Sequence, residues 1–379
     1  MTNNNIKFIQ ILSALALMLN LTACGETKTP NSTEPTQGSQ TQGEGTSITL
    51  PFENTVILNG AGATITAPLY ENWFQGLNQK VPKLEVNYES VGNVIGVEKF
   101  IADSVDFGAS YVAMTDEEMA RVNKGVLLLP VTAGAIVFTY NLPGVESLQL
   151  SRETYVDIAL GNITNWNDPK IVADNPNVTL PDKPIIFVHR ADGSGTTEFF
   201  TKHLSSINEQ WKTKVGEGKI VKWGVNGGKL LAAQGNEGVI ENIKNNEGSI
   251  GYVEFSYAQK DQLPMVAIEN KTGKFIVPSQ ETGFKTLENT PLAGDLRTFI
   301  TDPEGENSYP IVAYNWILAY QKYDDPNKAI AMEAMIQYAL TEGQKIAPSL
   351  GFISLPPNVI EKVATVADNI TPDYTIKIK

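Results

Sequence analysis

Eight consecutive residues, Arg190-Ala191-Asp192-Gly193-Ser194-Gly195-Thr196-Thr197, bring together the devices needed to bind a tetrahedral oxyanion. Arg190 follows a β-branched run, Ile185 to Val188, and offers a planar fork of donors that Asp192, two residues on, can hold in place. Ser194 and Thr196 supply hydroxyls. The peptide N–H groups of Gly195 and Thr196 open a helix carrying Phe199, Phe200 and Leu204, so the positive end of its dipole faces the same spot. The same string also reads as a surface ion pair followed by an ordinary Ser/Thr helix cap.

A second, weaker constellation is Gly60-Ala61-Gly62-Ala63-Thr64-Ile65, again between a strand and a helix. Its glycines allow a tight turn that points the first helical amides at one place. It lacks the third glycine and distant acid of a dinucleotide fingerprint, and no Gly-Lys-Ser/Thr occurs anywhere for a nucleotide P-loop. Ser194 invites comparison with a serine nucleophile, since His189 and His203 lie near it. The order is Gly-Ser-Gly rather than Gly-x-Ser-x-Gly, His189 should face away from Arg190 across the strand, and both histidines read as packing or surface residues.

The elements that must position these residues follow a βα rhythm. Thr55 to Asn59 reads as a strand, followed by a helix with Leu69, Trp73 and Leu77 on one face. Leu84 to Ser90 is a second strand, leading through Val91-Gly92-Asn93 into a helix with Val97, Phe100 and Ile101. Further strands are expected at 105–109, 126–129, 135–140, 184–190 and 249–255, with helices around 116–122, 152–160, 196–204 and 236–245. Such alternation predicts an α/β fold with mainly parallel sheets. No period of 20 to 50 residues marks a solenoid or propeller.

The 379 residues suffice for two or three domains, and a formal charge of -13 excludes a broad surface for nucleic acid or anionic lipid. One cysteine and two histidines build neither a disulfide scaffold nor a typical zinc site, and no cofactor motif is present. The cysteine has another use. Residues 6–19 form one early cation and a short apolar run, ending at Leu21-Thr22-Ala23-Cys24, which resembles the lipobox of bacterial lipoproteins. Residues 1–23 are therefore expected to be a signal peptide, Cys24 a lipidation site carrying diacylglyceryl and palmitoyl-type chains, and 24–47 a flexible tether without aliphatic or aromatic side chains. Removal of 1–23 leaves 28 basic and 42 acidic residues, a charge of -14. The expected location is the extracytoplasmic or periplasmic face of a membrane, touched through the lipid alone.

Seven motifs in sequence order, GAGATITAP (60–68), VDFGAS (105–110), RADGSGTT (190–197), GNEGV (235–239), GSIGYVEFSYA (248–258), SYPI (308–311) and SLPPNV (354–359), resemble the periplasmic phosphate-binding proteins that feed bacterial phosphate ABC importers. The resemblance implies a two-lobed periplasmic-binding-protein fold, each lobe a mainly parallel sheet flanked by helices, joined by a two-crossing hinge. It places lobe I at 48–131 plus 307–379, lobe II at 132–306, and the crossings near Pro130 to Gly134 and Glu306 to Pro310. It further implies a non-enzymatic receptor that closes on dehydrated inorganic phosphate and docks on a membrane permease. The implied site is Thr64 and Ile65 from the first loop and Arg190, Ser194, Gly195 and Thr196 from the second, with Asp192 orienting Arg190.

Two positions depart from the family pattern: Asn93 stands where it has serine, and Tyr111 where it has aspartate. A carboxylate accepts the proton of hydrogen phosphate and repels sulfate, whereas a phenol can also donate, so weaker rejection of sulfate is expected. Asn93 can donate through its amide. Other readings are a phosphate sensor or scavenger, a receptor for sulfate or arsenate, and a Ser194-dependent phosphomonoesterase. Arg190, as the only formal cation expected in the cleft, should contribute about 2 to 5 kcal/mol.

Overall fold

The computed structural model describes residues 48–379, so the expected signal peptide, tether and Cys24 lie outside the described residues. Eleven strands are formed among the described residues: β1 Val56–Gly62, β2 Leu84–Ser90, β3 Phe107–Ser110, β4 Val126–Asn141, β5 Gln149–Leu150, β6 Ile186–Arg190, β7 Lys229–Ala233, β8 Ser249–Glu254, β9 Ala267–Glu269, β10 Phe275–Ile276 and β11 Val312–Tyr320. Eight of them run in the order β2-β1-β3-β11-β4-β8-β6-β7, and β10-β9-β5 form a small separate sheet. The architecture is α/β with two lobes.

The outer pairings are parallel, β1 with β2 and β3, β6 with β7 and β8, as the βα rhythm requires. The centre departs from the expected mainly parallel sheet, because β11 is antiparallel to both β3 and β4, and β4 is antiparallel to β8. The strands of these central pairs are not joined to each other as βα units, so no helical crossover forces them parallel.

The strands expected at 126–129 and 135–140 are the two ends of the one 16-residue β4. Between them, opposite Pro130 to Thr132, the pairing slips between Asn315 and Trp316, and this bulge accommodates a proline without an N–H. β4 pairs with β11 over Val126–Ala135 and with β8 over Ile136–Asn141. The change of partner falls four residues beyond the expected lobe boundary at 131/132. The segment before β11 lies against this point: the Ile136 amide donates to the Ile311 carbonyl at 2.9 Å, and the Tyr309 hydroxyl donates to the Ile136 carbonyl at 3.1 Å.

Helix Ala67–Lys80 buries Leu69, Tyr70, Trp73, Phe74 and Leu77, the expected stripe, against the sheet. Helix Asn93–Ile101 lies unusually close to β1. A Cβ on Gly96 would stand 2.3 Å from the Gly62 Cα and 2.9 Å from the Ala61 carbonyl oxygen. That approach lets the Gly62 carbonyl accept from the amides of Val91 and Gly92, at 3.1 and 2.8 Å, which fixes where the helix begins. Gly96→Ala is therefore expected to lower stability by about 1 to 3 kcal/mol through backbone overpacking. Urea unfolding checks this; a midpoint equal to or above that of the parent would refute it.

Candidate anion-binding site

Four helices point their N-termini into one cavity of about 700 Å³. They are Ala67–Lys80, reached through Ala63 to Pro68; Asn93–Ile101, through Gly92 to Ile95; Gly195–Ile207, through Ser194 to Thr196; and Gly235–Asn245, through Gly235 to Glu237. The amides of Gly195 and Thr196 have no hydrogen-bond partner among the described residues. Neither have those of Asn236 and Glu237. Such donors, backed by the helix dipoles, favour an anion in the cavity.

All nine residues expected from the sequence, Thr64, Ile65, Asn93, Tyr111, Arg190, Asp192, Ser194, Gly195 and Thr196, line this cavity. Arg190, with its side chain 9% exposed, donates from Nε to Asp192 Oδ1 at 2.7 Å and from Nη2 to Oδ2, the fork the spacing predicts. Of the five guanidinium N–H bonds, three remain for a ligand. Asp192 Oδ1 also accepts the Gly235 amide at 3.1 Å. Burial works to raise the Asp192 carboxyl, but Arg190 and the Gly235 amide together hold it below the usual carboxylate range. The pair is therefore intact at neutral pH and is lost only as pH falls through that lowered value.

Ser194 is fixed at both ends of its donor set. Its amide donates to the Lys219 carbonyl at 3.0 Å, and its Oγ accepts the Thr197 amide at 3.3 Å, which leaves the hydroxyl proton free to donate. The Thr196 hydroxyl is buried without a partner. Asn93 Oδ1 accepts the Tyr111 amide at 3.2 Å, and its Nδ2 lies beside Gly195, 3.1 Å from where a Cβ there would stand. The donor end of the Asn93 side chain is thus on the Gly195 side.

Tyr111 differs from its expected role. Its ring packs edge-on against Phe199, and its hydroxyl is buried without a partner over Gly134, beside the Glu254 carboxyl, rather than exposed to the cavity. Burial raises that phenol far above its ordinary pKa, and Glu254 adds to the effect. The phenol is therefore not presented to a ligand as proton acceptor or donor. The reason is packing: Phe199 and the Gly134 stretch of β4 take the ring and its hydroxyl.

Arg190 is also not alone. Lys219, half-buried, lines the cavity, as do Glu71, Glu237 and Tyr257. Lys219 sits in a stretch without regular periodicity, which hides it from a pattern reading; the glycine at 235, with φ +67°, was the available signal for the fourth helix end. The histidines are elsewhere. His203 is fully buried between the Tyr155 hydroxyl (2.9 Å) and the Thr301 carbonyl (2.6 Å), and burial lowers its pKa to about 4. His189 stacks on Trp223 with ring centres 5.3 Å apart.

A family model described as a PBP superfamily domain matches residues 29–342. The phosphate-binding protein PstS of Haemophilus influenzae is 38% identical over 319 residues, spanning 83% of this chain and 93% of that one. The chain belongs to the PstS family of phosphate-binding proteins. The PstS of Methanocaldococcus jannaschii is 36% identical over 330 residues, spanning 81% of this chain and 84% of its own. Among solved structures, the periplasmic phosphate-binding protein PfluDING, bound with phosphate, shares the fold with a TM-score of 0.65 at 18% identity, over 85% of this chain and 96% of that one. A putative phosphate ABC transporter substrate-binding protein from Clostridium perfringens, with bound phosphate, gives 0.56 at 19% identity, over 79% and 100%.

In this PstS-family chain the anion loop is braced from below by Tyr252. Its buried hydroxyl accepts the Arg190 amide at 3.3 Å and pairs with the Thr197 hydroxyl at 2.7 Å, so one oxygen ties the two ends of the loop. The ring stacks on Phe200 with centres 4.4 Å apart. Tyr252→Phe keeps the ring and strands both partners, so a loss of about 1 to 3 kcal/mol in unfolding free energy is expected. An unchanged denaturant midpoint would show that the hydroxyl braces nothing.

Proposed function

We propose that this protein captures inorganic phosphate in the cavity and delivers it to the membrane permease of a phosphate ABC importer. The observation that carries the reading is the convergence of four helix N-termini and the Asp192-braced Arg190 on one cavity. The relatives' names point the same way. Phosphate would be held by the amides around Thr64, Ile65, Gly195 and Thr196, the hydroxyls of Thr64, Ser194 and Thr196, the Asn93 amide and the Arg190 guanidinium, with Asp192 orienting Arg190. Charge-assisted hydrogen bonds contribute about 1.5 to 3 kcal/mol each, so several reach micromolar affinity, about -8 kcal/mol, against the cost of desolvating the ligand.

Lobe I (48–131 plus 307–379) and lobe II (132–306) would close by rotation about the crossings at Pro130 to Gly134 and Glu306 to Pro310. No catalytic step is required, and the places of His189 and His203, neither of them lining the cavity, favour binding over a Ser194-dependent hydrolysis. Among the described residues no helix is long and apolar enough to cross a membrane. The Leu21-Thr22-Ala23-Cys24 sequence supports attachment through lipid on Cys24 after removal of 1–23, on the extracytoplasmic side.

Titration calorimetry tests the reading. One phosphate or arsenate per chain is expected at micromolar affinity or tighter, and sulfate should compete, because position 111 brings no carboxylate into the cavity. Arg190→Ala should cost about 2 to 5 kcal/mol of binding, and Lys219→Ala, at a half-exposed position, about 1 kcal/mol or less. Phosphate binding left intact by Arg190→Ala, or turnover of a phosphomonoester abolished by Ser194→Ala, would refute the proposal.

A further inference from the structure

Directly behind the cavity wall lies a buried acid without a counter-charge. Glu254, the last residue of β8, is fully buried. Its Oε2 accepts the Ser256 amide at 3.0 Å and the Ser256 hydroxyl, while Oε1 has no partner. The Tyr111 hydroxyl is the second unpartnered buried atom at the same spot. A Cβ on Gly134 would stand 2.3 Å from the Tyr111 oxygen and 2.8 Å from Glu254 Oε1, so both oxygens come over the same stretch of the β4 backbone. Two residues beside Glu254 line the cavity: Tyr111, and Asn236, whose Oδ1 accepts the Glu254 backbone amide at 3.2 Å.

We propose that Glu254 is a positioning residue that sets the pH dependence of anion binding, neutral when the anion is held and opposing it when ionised. This rests on the anion-receptor reading above. The elements packed around the carboxyl offer it no cation. β4 presents the Gly134 backbone, the loop after β3 presents Tyr111, helix Gly235–Asn245 presents neutral Asn236, and helix Phe255–Lys260 presents Ser256 and Tyr257. Tyr257 in turn faces Glu237 and Arg190. Burial pushes the Glu254 carboxyl up to about 7, with only the Ser256 hydrogen bonds opposing.

The sign follows from the charges. Below that value Glu254 carries a proton, its O–H can serve the Tyr111 oxygen, and the space behind the anion holds no charge. Above it, a full negative charge stands in a poorly screened interior close to a dianion. By reciprocity the bound anion pushes the carboxyl further up, so binding takes up a proton there and affinity falls as pH rises through about 7.

The test compares phosphate affinity of the unsubstituted protein and Glu254→Gln by calorimetry from pH 5.5 to 8.5. Phosphate's own titration and that of every other group cancel in the ratio of the two dissociation constants. The ratio should be near one at the acid end and rise on the order of fivefold to tenfold at the alkaline end, the Gln variant binding tighter. A ratio that is flat with pH overturns the inference and leaves the receptor standing; absence of phosphate binding by the unsubstituted protein at every pH overturns both. Should the variant not fold, carbon-13 titration of glutamate carboxyls in the unsubstituted protein decides. Glu333, the other buried acid raised to about 7, does not line the cavity and serves as control. One carboxyl moving upward on adding phosphate while the other stays is expected; both unmoved overturns the inference.

Discussion

A helix always begins with N–H groups that its own hydrogen-bond ladder cannot use, and here four such beginnings face one cavity. Leaving a donor buried and unpaired costs about 1 to 3 kcal/mol, so a closed cavity with these walls is unfavourable until something supplies acceptors on several sides at once. A tetrahedral oxyanion does so. The preference for negative charge is in this sense a backbone property, written in where the helices start rather than in the number of cations. It also explains how a chain of formal charge -13 can hold an anion. Charges across the surface are screened beyond about 8 Å at physiological salt, whereas the oriented amides act at contact distance.

The same view clarifies why a carboxylate belongs in an anion site. Asp192 is bound on two sides, by the Arg190 fork and by the first amide of helix Gly235–Asn245. Together Arg190 and Asp192 form a nearly neutral unit whose three remaining N–H bonds have fixed directions. What the pair contributes is aim, and the excess positive potential comes from helix ends and Lys219. Tyr252 below and the Lys219 carbonyl beside Ser194 keep that aim from drifting, because each pins a backbone group of the loop rather than a mobile side chain.

Much of this was legible in the sequence because the decisive signals are local. Arg190 to Thr197 encodes its own ion pair, cap and helix start, and the strand-turn-helix junction at Gly60 to Pro68 does the same less distinctly. β11 and helix Pro326–Leu340 were not foreseen for the opposite reason: both are buried on nearly every face, so neither shows the alternation or stripe that periodicity detects. The joining of 126–129 and 135–140 into one strand depends on a bulge opposite Asn315, some 180 residues away, which no local reading of Pro130 and Gly134 can supply. Tyr111 failed for a related reason. Its position beside the cavity follows from sequence order, but the direction of its phenol is set by Phe199 and Gly134, both distant along the chain.

Gly134 shows how tightly the crossing is constrained. β4 keeps its ladder unbroken where it exchanges β11 for β8, between Ala135 and Ile136. Tyr111 follows β3 and Glu254 ends β8, strands on opposite sides of β4 in the sheet, and both oxygens come over the Gly134 backbone. Any side chain at 134 would collide with both. Glycine is required there by closeness, since its φ is not in the left-handed region. Glycine at 134 is thus what lets two unpartnered polar groups from opposite sides of β4 sit over one stretch of its backbone.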